Sequence, residues 1–377
     1  MARTFDRRQV VFGVGAGLMF SPMAAALPVQ SWKSVAPSEV GFATDLGEKL
    51  EAGINSGLLR ELHSVLVVRS GNLVLERYYE GSDESWGDPL GHVVFDKWTL
   101  HDLRSVTKSV VAILYGIALD RNLVPPPEAP LLGQFLEYAD LAADEQRAAL
   151  TIQHVLTMTL GTEWNEQTPY TNPANSELMM ERAADRYRFV LDRPMVDKPG
   201  QRWTYNGGCS ALLGLLIARG SGQTLADFAV ENLFAPLGIS EFEWAQGRDG
   251  VHSAASGLRL RPRDLARIGA LVLRQGLWND RRIVSQAWLL ESFRPAIATG
   301  DGLDYGRQWF LGRDRAPAFD AAQRWIAGFG NGGQRLWIMP SADLCTVITA
   351  GRYNKRDAWI SPMRVWREIV LANLETL

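Results

Sequence analysis

Ser105 and Lys108 stand three positions apart in the run Ser105-Val106-Thr107-Lys108. A serine hydroxyl attacks a carbonyl well only when a neighbour takes its proton. A lysine amine can do so if burial or nearby cations lower its pKa toward neutrality. Three residues make about one helical turn, so a helix here would set the ammonium on the same face as the hydroxyl. The chain has six lysines (Lys33, Lys49, Lys97, Lys108, Lys198, Lys355), and only Lys108 follows a serine by three. Composition alone supplies such a pair in roughly one chain in three, so the pair draws its meaning from the elements around it.

Those elements are legible in part. Leu100-His101-Asp102-Leu103-Arg104 reads as a loop, and Val106, Val110, Ile113, Leu114 and Ile117 then recur at helical spacing to about Asp120. Ser105 therefore falls at a helix start, where unpaired N–H groups and the positive dipole end can hold an oxyanion. Leu212, Leu213, Leu216 and Ile217 mark a second helix. Pro125-Pro126-Pro127, Pro199-Gly200 and Pro236-Leu237-Gly238 punctuate this middle stretch. At the two ends the pattern turns to strands. Ser64 to Val68 and Leu73 to Tyr79 flank the turn Arg69-Ser70-Gly71-Asn72, and Gln334 to Met339 and Leu344 to Ala350 flank Pro340-Ser341-Ala342-Asp343. The simplest assembly is an α+β fold. An antiparallel sheet is built from both ends of the chain, with strands in about 62–80 and 305–350, and a mainly helical region of about 105–300 lies between them.

The stretch Leu103-Arg104-Ser105-Val106-Thr107-Lys108-Ser109-Val110 resembles the first motif of class C β-lactamases, family VIII esterases and 6-aminohexanoate-dimer hydrolases, which share the penicillin-binding fold. The resemblance continues through Thr151 to Thr159, similar to the helix after that motif, and Pro236-Leu237-Gly238-Ile239, similar to a Pro-Leu-Gly turn. The group's second motif, usually Tyr-x-Asn after a Pro-Gly turn, resembles Pro199-Gly200-Gln201-Arg202-Trp203-Thr204-Tyr205-Asn206-Gly207-Gly208. Tyr205 would then be the base or proton-relay tyrosine. A phenol beside a lysine ammonium can have its pKa lowered and shuttle the Ser105 proton. The family asparagine falls on Gly207, and Asn206, one residue early, is the candidate for its substrate contact.

The third motif, Lys-Thr-Gly, His-x-Gly or Trp-Gly-Gly in relatives, is best matched by Asn331-Gly332-Gly333 before Gln334. The resemblance implies that Asn331, Gly332 and Gly333 line the substrate cleft, and that the Gln334 and Ser105 N–H groups form the oxyanion hole. Asn at position 331 is neutral where β-lactam-binding relatives place a cation or strong donor for the drug's carboxylate. Ester or amide hydrolysis therefore ranks above β-lactam hydrolysis. A penicillin-binding D,D-peptidase, a slow acylating sensor and a non-catalytic binding domain are the alternatives. Gly161-Thr162-Glu163-Trp164-Asn165-Glu166 resembles a loop of the 6-aminohexanoate-dimer hydrolase branch, where Glu163 and Glu166 could meet a substrate amine. As a bland alternative, both are solvated loop acids.

The chain's 377 residues are 46% hydrophobic with a net charge of −3 and no block of like charge, which argues against a nucleic-acid or membrane-surface partner. The expected partner is a small ester, amide or short peptide-like molecule, and no cofactor is required. Residues 1–26 read as an export signal similar to the twin-arginine type, with Arg7-Arg8 before the apolar run Val10 to Phe20 and then Ala24-Ala25-Ala26. The expected destination is the periplasm or beyond, with 27–377 as the catalytic domain and no membrane span in it. Cys209 and Cys345 do not read as a disulfide framework. His63, His92, His101, His154 and His252 show no metal-ligand spacing, so no metal is expected, and His101 and His252 read as structural or exposed.

Overall fold

The computed structural model describes residues 32–375, so the expected export segment lies outside the described residues. Within it, strand β1 (Leu62–Arg69) is buried along its whole length. Val65 and Val67 point into one apolar cluster, and Leu66 and Val68 into another. A strand that is apolar on both faces must be covered on both, and this requirement gives the architecture its layers. The helix Leu46–Asn55 and the C-terminal helical segment from Ile360 to Asn373 cover one face. The helices Val106–Asp120 and Pro262–Leu273 cover the other.

β1 turns into β2 (Asn72–Tyr78) through Ser70-Gly71, both with positive φ. A two-residue loop of that handedness matches the twist of the strands it joins. A polar hairpin follows, β3 (Glu80–Ser85) and β4 (Asp88–Val94), and then the short β5 (His101–Asp102). After the helical middle come β6 (Glu243–Trp244), β7 (Leu258–Leu260), β8 (Leu277–Trp278) and β9 (Arg281–Arg282). The remaining strands are β10 (Ile297–Ala298), β11 (Asp304–Tyr305), β12 (Phe310–Asp314), β13 (Gln323–Gly330), β14 (Gln334–Met339) and β15 (Leu344–Ala350). Among the described residues the main sheet is eight-stranded and antiparallel, in the order β10-β11-β12-β13-β14-β15-β1-β2. Pairing of β1 with β15, for example Val65 opposite Ile348, joins the two ends of the chain as the sequence predicts.

The middle is less purely helical than expected. β5, β7 and β6 form a small sheet of their own, which ties the residues just before Ser105 to a segment more than a hundred positions later. The helix Val106–Asp120 runs through the interior, buried from Val106 to Ala118, and so reads apolar nearly all round. Gly116 lets the indole of Trp288 lie against it. A Cβ there would come within 2.1 Å of that ring, whose Nε1 donates to the Ala112 carbonyl at 3.0 Å. Filling that contact is the single change most certain to shift this helix. Among the described residues no helix is long and apolar enough to cross a membrane.

Candidate active site

The chain enters the Val106–Asp120 helix through a strained turn. Arg104 has φ +47, a left-handed conformation that a non-glycine residue holds only when its surroundings impose it. Here they do. Asp102 Oδ1 accepts the Arg104 N–H at 2.8 Å, and Asp102 Oδ2 accepts the Trp86 N–H at 2.7 Å. The Arg104 guanidinium pairs with Asp102 and Glu84 and lies over the Tyr353 ring. Ser105 follows as the N-cap, yet its hydroxyl does not cap the helix. Oγ lies instead 3.1 Å from Lys108 Nζ. The Ser105 N–H makes no hydrogen bond among the described residues, which leaves it free for an oxyanion.

Lys108 is 2% exposed and its three protons have three acceptors: Ser105 Oγ, Glu177 Oε2 at 3.2 Å and the Ala255 carbonyl at 2.8 Å. Its Nζ sits 5.0 Å from the centre of the Tyr205 ring. Ser105 and Lys108 therefore meet Tyr205, a hundred residues after Ser105 in sequence. One expectation is corrected. Burial alone would lower the lysine's pKa, but Glu177, Tyr205 and Glu166 outweigh it and raise it above the ordinary lysine value. These neighbours favour the ammonium of Lys108 over its free amine. The Tyr205 phenol is raised too, not lowered as its place beside a lysine suggests: burial outweighs the lowering by Lys108 and the Ser105 hydroxyl.

Glu177 was not foreseen. It sits in the first turn of the helix Ser176–Arg182, capped by Asn175, where an acid is ordinarily explained by the helix dipole. In the folded chain it is buried and is the carboxylate in direct contact with Lys108. The same contact explains the glycine at 207. A Cβ there would lie 2.0 Å from Glu177 Oε2 and 3.1 Å from Glu166 Oε1, so the carboxylate fills space that a side chain at 207 would need. Glu166 accepts from Trp164 Nε1, from the Gly207 N–H and, at 3.0 Å, from the Tyr170 hydroxyl. Those donors favour its ionised form, but burial first and the nearby Glu177 second push it up to about 8. Glu166 is thus part of the site's inner network, whereas Glu163, three residues earlier, is exposed and paired with Arg193 at 2.7 Å.

The remaining sequence candidates are engaged inside the protein. Asn206 is buried, and its Oδ1 caps the helix Gly207–Ser221 through the Cys209 N–H. Asn331 exchanges two hydrogen bonds with Asn354. Gly332 and Gly333, both at positive φ, form a turn packed against Tyr353 and Ala358. The Gln334 side chain clamps Ala350 by donating to its carbonyl at 2.7 Å and accepting its N–H at 2.9 Å. The stretch of strand that meets the nucleophile's helix is the end of β13. A Cβ at Gly328 would touch Val106 and Ser109 at 3.1 Å, and one at Gly330 would strike the Leu103 carbonyl at 2.5 Å. Cys209 and Cys345 are both buried free thiols.

Beside this network a cavity of about 250 Å³ is lined by Trp86, Arg104, Tyr170, Glu177, Glu181 and Ser256 among others. Glu177 thus touches Lys108 on one side and the cavity on the other. Ser105, Lys108 and Tyr205 do not line that cavity, but at the helix start they bring together a serine hydroxyl, an ammonium and a phenol beside an unpaired backbone N–H, the set needed for acyl transfer.

A family model described as Beta-lactamase matches residues 60–359. The chain is 24% identical over 344 residues to the 6-aminohexanoate-dimer hydrolase of Paenarthrobacter ureafaciens, an alignment covering 84% of this chain and 76% of that protein. It is 29% identical over 211 residues to the esterase EstB of Burkholderia gladioli, covering 53% and 52%. Among solved structures, one described as a 6-aminohexanoate-dimer hydrolase from Bacillus anthracis superposes with a TM-score of 0.68 at 19% identity, over 90% of this chain and 86% of that one. EstCE1, described as a hydrolase with promiscuous acyltransferase activity, superposes at 0.66 with 14% identity, over 87% and 99%.

Proposed function

The chain belongs to the beta-lactamase family, and from that premise we propose that it is a serine hydrolase that cleaves esters or amides through an acyl-enzyme on Ser105. The observation that carries this reading is the contact of Ser105 Oγ with Lys108 Nζ at 3.1 Å, at a helix start beside Tyr205. Relatives are named hydrolase, esterase and acyltransferase. One acyl-enzyme serves all three, and only the acceptor of the acyl group differs.

Because Glu177 favours the ammonium of Lys108, the lysine's proton must be able to move onto that carboxylate before the amine can take the Ser105 proton. The oxygen of Ser105 then attacks the carbonyl carbon, with the Ser105 N–H and a second backbone N–H holding the oxyanion; the end of β13, which meets the nucleophile's helix, is better placed to supply the second than Gln334, the residue the family resemblance implies, which lies on β14 between two strands. Tyr205 protonates the departing oxygen or nitrogen. Water, deprotonated by the same Lys108 and Tyr205 pair, releases the acid and restores Ser105. Asn331, neutral and bonded to Asn354, offers no cation to a drug's carboxylate, which supports esters or amides over β-lactams. The Arg7-Arg8 segment supports export to the periplasm as part of this proposal.

Hydrolysis of a p-nitrophenyl ester tests the reading. Ser105→Ala should abolish it, and turnover retained in a correctly folded variant contradicts the assignment.

A further inference from the structure

On the sealed side of the same turn lies a second polar cluster that the mechanism does not use. His63 on β1, Asp83 on β3 and His101 on β5 are each under 5% exposed, and one ligand-type atom from each falls within 4.8 Å of the others. His63 Nδ1 is 2.8 Å from His101 Nε2, which is 3.7 Å from Asp83 Oδ1. We propose that His63, Asp83 and His101 form a buried binding site for a zinc-type divalent cation that staples β1, β3 and β5 behind the nucleophile.

Three features of the cluster point to a metal. His101 Nδ1 faces the Asp102 carbonyl at 3.0 Å, so that nitrogen carries the proton and the lone pair of Nε2 is directed at the cluster. An outer hydrogen bond of this kind is what orients a metal-binding imidazole. Asp83 Oδ1 accepts the Tyr353 hydroxyl at 2.7 Å, but Oδ2 is buried with no hydrogen-bond partner among the described residues. Such an orphaned carboxylate oxygen is costly unless something positive reaches it. Arg259 Nη1 forms a long ion pair with it at 3.8 Å but makes no hydrogen bond to it. Finally, the His63 ring is held in place, stacked on Phe95 at 4.2 Å, with Gly81 and Gly351 packed so closely that a Cβ on either would come within 2.6 Å of its Nε2.

The spacing also fits. Zinc bonds of about 2.0–2.2 Å in a tetrahedral set leave ligand atoms roughly 3.3 Å apart; the His63–His101 and His101–Asp83 separations of 2.8 and 3.7 Å bracket that value, and all three atoms lie within 4.8 Å of one another. The two nitrogens would separate by about half an ångström. Two nitrogens and a carboxylate suit zinc better than magnesium or calcium. The Nδ1 proton of His63, now donated to His101, moves to its own Nε2. The staple would act on Asp102, the neighbour of His101, which holds the Arg104 and Trp86 N–H groups. Its role is structural, and zinc does not enter the acyl-transfer steps. No local spacing in the sequence signals it, because the three ligands converge only through the tertiary fold.

The test uses the full chain, stripped with dipicolinate and then titrated with Zn²⁺ by calorimetry and with Co²⁺ by visible absorption. Binding of one ion per chain, a tetrahedral cobalt spectrum and a Tm raised by a few degrees on zinc addition, all lost in His63→Gln and Asp83→Asn, support the site. If His63→Gln does not fold, Asp83→Asn carries the same reading. Wild-type protein that binds less than a tenth of an equivalent overturns the proposal, as does binding undiminished in both variants.

Discussion

Two buried polar clusters flank the turn that presents Ser105, and they are built on opposite principles. Lys108, Glu177, Glu166 and Tyr205 form a charged network with one wall on a cavity. His63, Asp83 and His101 form one of two imidazoles and a single carboxylate, packed against Phe95, Gly81 and Gly351. Charges that must exchange protons with a substrate need access to it and neighbours that keep their pKa values mobile. Groups that only hold strands together do better when water is excluded and every hydrogen bond has one direction. The contrast assigns chemistry to the first cluster and positioning to the second, and it can be broken at several points.

The largest effect is expected at Lys108. Lys108→Met should lower kcat/KM on an ester about a thousandfold and destabilise the fold by roughly 3–5 kcal/mol, because Glu177 is left buried without its partner. Adding Glu177→Gln to that variant should restore part of the Tm and none of the activity. Recovery of both in the double variant would mean the lysine is only structural.

The same substitution placed in each cluster separates them next. Gly207→Ala drives a methyl into the Glu177 carboxylate and Gly81→Ala drives one into the His63 ring. Each should cost about 1–3 kcal/mol of stability. Gly207→Ala should also cut kcat about tenfold by displacing Glu177 from Lys108. Gly81→Ala should leave kcat per folded molecule within a factor of about three, since no chemistry depends on that side. Thermal melts and kinetics on matched folded fractions give the comparison, and equal losses of kcat would erase the distinction.

A smaller effect concerns pH. Glu166 is pushed from the ordinary glutamate value of 4.5 up to about 8 in the folded chain. Between those values the native state keeps a proton that the unfolded chain has released, so stability falls as pH rises through the window. Glu166→Gln should flatten that decline in Tm between about pH 5 and 8. An unchanged slope would place the titration elsewhere. Smallest of all, Glu163→Ala should shift stability by no more than about 0.5 kcal/mol and leave activity alone, since its partner Arg193 is also in reach of solvent.

How much of this was visible in the sequence depends on how local each signal is. The two hairpins of the main sheet and the helix after Ser105 were legible because apolar periodicity and turn residues act over a few positions, and β14 and β15 fall on the expected residues. The β3–β4 hairpin was not, since its residues are mostly polar and exposed and carry no alternation to read. Within the site, Ser105, Lys108 and Tyr205 were legible through motif order. Glu177 belongs to no motif, and an acid in the first turn of a helix is ordinarily explained by the helix dipole. Asn206 misled for the reverse reason: an asparagine ahead of a helix is first of all a cap, and this one is spent as such. Gly207 was noticed as a departure, and only the fold shows that the carboxylate of Glu177 occupies the vacated space.

The central claim is that Ser105 carries the acyl group. Rapid acid quenching of the enzyme during turnover of a p-nitrophenyl ester, followed by intact and peptide mass spectrometry, tests it most directly. The account predicts a mass increase equal to the acyl group, located on the peptide containing Ser105 and absent in Ser105→Ala. An acyl group found on another residue, or ester turnover by Ser105→Ala at the wild-type rate, would contradict it.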